Sequence, residues 1–118
     1  MTTDTKPGEI TFDDFLKVDI RVGTVIDAQP YPEARVPAIK LWIDFGEEIG
    51  VKKTSAQNTK HYTVESVMGR QVCAVVNFPP RQIGKFMSEV LTLGMPDADG
   101  DVVMIAPDQK LPNGGRLY

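Results

Sequence analysis

Cysteine is almost missing from these 118 residues: Cys73 stands alone, so no intrachain disulfide can form. Small secreted domains lean on disulfides, and the chain therefore reads as cytoplasmic. Histidine and tryptophan also occur once each, as His61 and Trp42. One cysteine and one histidine cannot make a zinc site unless carboxylates stand beside them, so neither metal nor cofactor is expected. Long apolar runs are lacking too. None exceeds about six residues, against the roughly 20 that a spanning helix needs, and no membrane insertion is expected. Met1 to Glu9 is polar and carries both charge signs, unlike a signal peptide. No glycine-rich phosphate loop, nucleophile–base pair or paired acids can be found, so no catalytic residue is assigned and the chain is not read as an enzyme. Asp97-Ala98-Asp99-Gly100-Asp101 has something of a calcium loop, but its glycine comes at the fourth place instead of the sixth. It reads as an acidic hairpin turn.

What is present suffices for one core. A 42% hydrophobic fraction is ordinary for a globular chain, and residues 1–118 are expected to form one domain. The net charge of -3 is unevenly spread. Residues 1–34 balance to -4 and residues 86–118 to -3, whereas residues 35–85 balance to +4. A basic middle between acidic ends can offer a positive patch despite a pI near 5.1.

Thr11 followed by Phe12, Phe15 and Leu16 predicts a short capped helix with one apolar face. So short a helix must dock on something, either the barrel or a second copy of the chain. Strand periodicity dominates after it. Asp19 to Ala28 alternates, with Gly23 expected to mark a bulge or sharp bend. Ile39, Leu41, Ile43 and Phe45 alternate with Ala38, Lys40, Trp42 and Asp44, and the turn at Gly46–Glu48 leads into a third strand. Ala56–Tyr62 and Thr63–Met68 read as short helical turns, the second stopping at Gly69. Val72–Phe78 is almost continuously apolar and is expected to be buried on both faces. Glu89–Met95 and Asp101–Ala106 complete the strands, with a last turn at Asn113-Gly114-Gly115. The class is all-β, a small barrel with short helical segments and a short N-terminal helix. Its order best fits the five-stranded OB-fold Greek key.

Two clusters bear on function. If Leu41 and its neighbours fill the barrel, Trp42 faces outward as a contact residue, or lies covered by a loop or dimer seam. Asn77-Phe78-Pro79-Pro80-Arg81 and Lys85-Phe86-Met87-Ser88 set aromatics beside cations. That mixture suits base stacking, a hydrophobic peptide, or a rigid packed corner.

Several segments closely resemble the CsaA family. They are Asp19-Ile20-Arg21-Val22-Gly23, Pro32-Glu33-Ala34-Arg35-Val36-Pro37-Ala38-Ile39-Lys40, Ile43-Asp44-Phe45-Gly46, Ser55-Ala56-Gln57, Ala74-Val75-Val76-Asn77-Phe78-Pro79-Pro80-Arg81 and Pro112-Asn113-Gly114. The likeness runs from about Phe12 to the C-terminus. It implies an OB barrel that dimerises through N- and C-terminal extensions (1–18 and 107–118), and an export-related chaperone of unfolded preproteins. The wider superfamily, which includes the tRNA-binding domain of some bacterial methionyl-tRNA synthetases, implies tRNA recognised by shape. Ser88-Glu89 stands where tRNA-binding relatives carry Ser-x-Gly-Met, and here it continues Val90-Leu91.

Two sets of contact residues are therefore expected. Trp42, Phe78, Pro79, Pro80, Phe86 and Met87 would bind unfolded peptide. Arg35, Lys52, Lys53, Lys60, Arg81 and Lys85 would contact tRNA phosphates. Phe12, Phe15 and Leu16 would bury in a homodimer.

Overall fold

A computed structural model describes residues 6–118, so the start of the N-terminal extension lies outside the described residues. Helix α1 (Phe12–Leu16) opens on a reciprocal cap. Thr11 Oγ1 accepts from the Asp14 N–H at 3.1 Å, and the Asp14 carboxylate accepts from the Thr11 N–H at 3.0 Å. The expected helix is thus present, and none of its residues is buried.

Five strands form one curled antiparallel sheet, an OB-type half-barrel. They are β1 (Ile20–Tyr31), β2 (Ala38–Asp44), β3 (Val51–Ala56), β4 (Gln71–Val75) and, after an intervening hairpin, the short β7 (Leu91–Thr92). Their spatial order is β3-β2-β1-β4-β7. The hairpin is β5 (Arg81–Ile83) with β6 (Phe86–Ser88), where the sequence suggests only loop. A second hairpin pairs β8 (Gly94–Pro96) with β9 (Val102–Met104) across the acidic turn. Helix α2 (Val64–Val67) starts on a Thr63/Ser66 capping box, and the chain leaves it through Gly69 at φ +78.

The alternation along β2 holds: Ile39, Leu41, Ile43 and Phe45 are buried, together with Val25, Val67, Val72 and Ala74. Four expectations need correction. The bulge in β1 falls between Val25 and Asp27, not at Gly23. It reverses the strand's phase, which buries Val25 and leaves Ile26 exposed. Gly23 instead permits close approach, since a Cβ there would lie 2.6 Å from Ile43 and 2.8 Å from the Phe45 ring. Next, residues 57–62 are turns and irregular chain, not helix. Without an amphipathic face to bury, so short a segment has nothing to hold it helical. Finally, Val72–Phe78 is not buried throughout. Strand β4 ends at Val75, and the chain turns outward so that Phe78 is 53% exposed. The sequence also merges β7 and β8, which break apart at Leu93.

Candidate functional site

The barrel closes between β3 and the segment leading into β7, and it closes only in part. At one end the two are zipped. Glu89 N–H donates to the Lys53 carbonyl (2.8 Å), Lys53 N–H to Glu89 Oε1 (3.0 Å), and Thr54 Oγ1 to the Val90 carbonyl (2.8 Å). Ser88 Oγ accepts from the Ser55 N–H at 3.2 Å. Beyond these bonds the strands diverge and leave a cleft of about 580 Å³. Ala56, Gln57 and Asn58 form one wall, Leu91, Thr92 and Leu93 the other. Val102 and Met104 also line it, as do Phe78, Pro79, Arg81 and Ile83. Its volume lies in the range of ligand pockets, roughly 300–1,000 Å³.

Asn58 is the unusual wall residue, being only 1% exposed. Its Nδ2 donates to Met104 Sδ at 3.2 Å, while Oδ1 has no partner among the described residues. Sequence reading misses it because polar Asn58, in a turn-rich stretch, looks like surface.

A second surface lies on the other face of β2 and β3. Trp42 sits edge-on to Phe86 with ring centroids 6.0 Å apart, and Tyr31 packs on Phe86 at 5.8 Å. Lys40 Nζ lies 4.4 Å from the Tyr31 ring centre, and Lys40 and Lys53 each lie 5.2 Å from that of Phe86. A shallower cleft of about 500 Å³, lined by Tyr31, Glu33, Lys40, Gly84, Lys85 and Phe86, adjoins it.

The six residues expected to bind peptide are therefore split. Phe78 and Pro79 line the seam cleft. Phe86 is buried and Trp42 half-buried in the aromatic cluster of the second face. Pro80 and Met87 are exposed and line neither cleft. The cations scatter as well. Arg81 lines the seam and Lys85 the second cleft, with Lys53 near it. Lys52 pairs with Ile43 and so lies on the opposite face of β3 from Lys53. Arg35 and Lys60 are exposed on separate loops. Lys40 joins the basic face although it is not among the expected contacts. The legible signal is its place two residues before Trp42, which puts both on one side of the strand.

His61 is less isolated than the sequence implies. Its Nε2 lies 2.6 Å from Asp97 Oδ2, and the ligand atoms of His61, Asp97 and Asp101 fall within 4.8 Å of one another. Asp97 is already engaged, because its Oδ1 accepts from the N–H groups of Asp99 (2.8 Å) and Asp101 (2.9 Å). The Asp101 N–H, ahead of His61, holds the Asp97 carboxyl below the usual carboxylate range. These bonds account for the acidic hairpin turn. Burial pushes the Cys73 thiol up, away from the reactive thiolate.

Phe12, Leu16, Ile10 and Val18 are exposed near the C-terminal segment, where Arg116 donates to the Leu16 carbonyl at 2.8 Å. Phe15, half-buried, tilts against Phe12. None of the described helices is long and apolar enough to cross a membrane.

Comparison with known proteins fits this geometry. The model of the tRNA binding domain family matches residues 20–116. Methionine–tRNA ligase of Porphyromonas gingivalis is 38% identical over 109 residues, covering 92% of this chain. The chain spans only 16% of that ligase's length. Among solved structures, chaperone CsaA of Bacillus anthracis superposes with a TM-score of 0.87 at 53% identity, over 94% of this chain and 100% of that one. CsaA of Picrophilus torridus gives 0.86 at 45% identity, over 93% of this chain and 100% of that one. The matched family is a binding module, and the share of the synthetases it occupies is non-catalytic. By the family match and the near-complete superposition on both CsaA structures, this chain belongs to the tRNA binding domain family and, within it, to the CsaA proteins.

Proposed function

We propose that this chain is a cytoplasmic, export-related chaperone of CsaA type that binds unfolded preprotein segments and is not itself an enzyme. The observation that carries the reading is the seam cleft, an open, mainly apolar depression with exposed Phe78 and Pro79 beside exposed Leu91. Exposed aromatic and aliphatic groups around a concave site suit weak, broad capture of apolar segments. The test is calorimetric titration with a reduced, unfolded polypeptide at low and moderate salt. Micromolar, salt-insensitive binding is expected, and no heat at either salt would remove the chaperone reading. Trp42 lies off the cleft, so its emission is a poor reporter of this event.

A second reading, tRNA binding, rests on the separate basic face of Lys40, Lys53 and Lys85. Cations held over aromatic rings at a shallow cleft suit phosphate contacts. Trp42, in contact with Phe86, reports there. Lys40→Ala with Lys53→Ala should weaken bulk tRNA binding and lower the salt slope by about one unit for each phosphate released. An unchanged slope in the Trp42 titration would take both lysines out of the interface.

We further propose that residues 1–118 act as one domain and that the chain is a homodimer joined through its terminal extensions. Phe12, Phe15 and Leu16, with Ile10 and Val18, form the apolar seam. Two clefts on one particle raise avidity for a long client without new contacts. Phe12→Asp with Leu16→Asp should convert the dimer to monomer in light scattering at micromolar concentration. A wild-type chain that is already monomeric there rules the dimer out.

A further inference from the structure

The strand edges facing the seam cleft carry backbone groups that find no hydrogen-bond partner among the described residues. Lys53 N–H and C=O both bond across the seam, and Ser55 N–H bonds to Ser88 Oγ. Backbone groups alternate in direction along a strand, so Ser55 C=O and Gln57 N–H point the same way, away from β2. The ladder agrees, because Phe45 N–H bonds to Gly50 C=O and fixes Ile43–Lys52, Leu41–Thr54 and Ile39–Ala56 as the bonded pairs. On the other wall, Leu93 N–H donates to the Cys73 carbonyl, so Thr92 turns its N–H and C=O away from β4. Among the described residues, no hydrogen-bond partner is found for Ser55 C=O, Gln57 N–H, or either group of Thr92. The buried Asn58 Oδ1 stands unpartnered on the same wall as Gln57.

Two facing open edges and an orphaned acceptor in one cleft call for an occupant with evenly spaced donors and acceptors. Unsatisfied strand edges are templates for another strand. A buried acceptor without a partner is costly until a donor reaches it. An extended polypeptide supplies both, presenting N–H and C=O to each side in turn at about 3.3 Å per residue. A nucleobase is a planar ring that lacks the evenly repeating main-chain donors and acceptors of an extended strand.

We propose that the seam cleft takes an extended segment of unfolded polypeptide as an added strand between β3 and β7, with the Met104 side chain that covers Asn58 moving aside so that Asn58 Oδ1 accepts a hydrogen bond from it. This rests on the peptide-binding reading above and specifies how the client is held. Main-chain bonds provide affinity that ignores sequence, while Phe78, Leu91 and Met104 favour apolar side chains. The preferred client is thus an uncharged, β-prone segment, and a segment already folded as helix is excluded because its backbone groups are occupied.

The test uses the full chain and a lysine-flanked octapeptide of alternating valine and serine. Two further versions carry N-methyl groups on alternate amides, one for each phase. Binding is followed by calorimetry and by amide chemical shifts. Each methylated peptide should lose about tenfold in affinity, and the parent should shift Gln57, Asn58 and Thr92. Asn58→Leu should weaken the parent peptide several-fold while the chain stays folded. Equal affinity for parent and both methylated peptides overturns strand addition. So do shifts that leave Gln57, Asn58 and Thr92 unmoved, with peptide binding itself intact. If neither the octapeptide nor a reduced, unfolded polypeptide binds, the chaperone reading itself falls. Bulk tRNA moving the Gln57, Asn58 and Thr92 signals would give the cleft to nucleic acid instead.

Discussion

Phe45→Ala is expected to destabilise the chain by about 3–5 kcal/mol, against a total stability of roughly 5–15 kcal/mol for a small domain. Phe45 is fully buried at the end of β2 in the main core. Two chain segments converge on it. Its ring lies where a Gly23 Cβ would come within 2.8 Å, and its carbonyl lies 2.5 Å from where a Gly114 Cβ would be. Gly114, at φ +95, belongs to the C-terminal segment that runs along β1, with Gly114 N–H bonded to the Val22 carbonyl at 2.8 Å. Relaxation cannot fill the hole well, because both neighbours are backbone held in ladders. The measurement is urea unfolding, with a lower midpoint at unchanged slope. Gly23→Ala alone should also destabilise, by forcing its methyl against Ile43 and Phe45. In the Phe45→Ala background that methyl enters the vacated space, so the two changes should be less harmful together than their sum. Strict additivity would show that Gly23 is not packed against this ring.

Phe78→Ala should reduce affinity for unfolded polypeptide by about 30-fold, equivalent to roughly 2 kcal/mol at a central aromatic anchor. The ring is 53% exposed in the free chain, so its loss leaves no internal cavity and stability should move by less than about 0.5 kcal/mol. That separation is the useful feature. Phe86→Ala gives the contrast, since Phe86 is buried against Tyr31 and Trp42 and should lose stability first. Calorimetric titration of both variants, beside their thermal midpoints, distinguishes an anchor from a packing residue. Unchanged peptide affinity in Phe78→Ala would move the client off the seam cleft.

The basic face and the seam are different surfaces, and this has a consequence for reading any binding experiment. Lys40 and Lys53 flank the aromatic cluster, whereas Arg81 alone of the expected cations lines the seam. If both proposed readings hold, tRNA and peptide should bind at once, and competition between the two ligands would point to overlap near Arg81.

Much of the fold could be read from the residues. Alternation along Ile39–Phe45 identifies the core face because strand side chains repeat every two positions. The Thr11 and Thr63 caps mark both short helices because free N–H groups in a first turn need acceptors. Family membership was legible for a similar reason, in long contiguous motifs such as Ala74–Arg81.

Only the tertiary structure decided which chemistry meets which. The β1 bulge reverses inside and outside after Val25, and nothing local to Ile26 signals it. Phe78 and Phe86 look equivalent in sequence, yet one emerges where β4 ends and the other folds back on Trp42 through the β5–β6 hairpin. Asn58 becomes a buried acceptor, unpartnered among the described residues, because Met104, far along the chain, closes over it. The seam cleft exists because β3 and β7 part after a few bonds. Periodicity fixes which face of a strand is apolar; how far two edges stay paired depends on long-range closure, which no local pattern encodes.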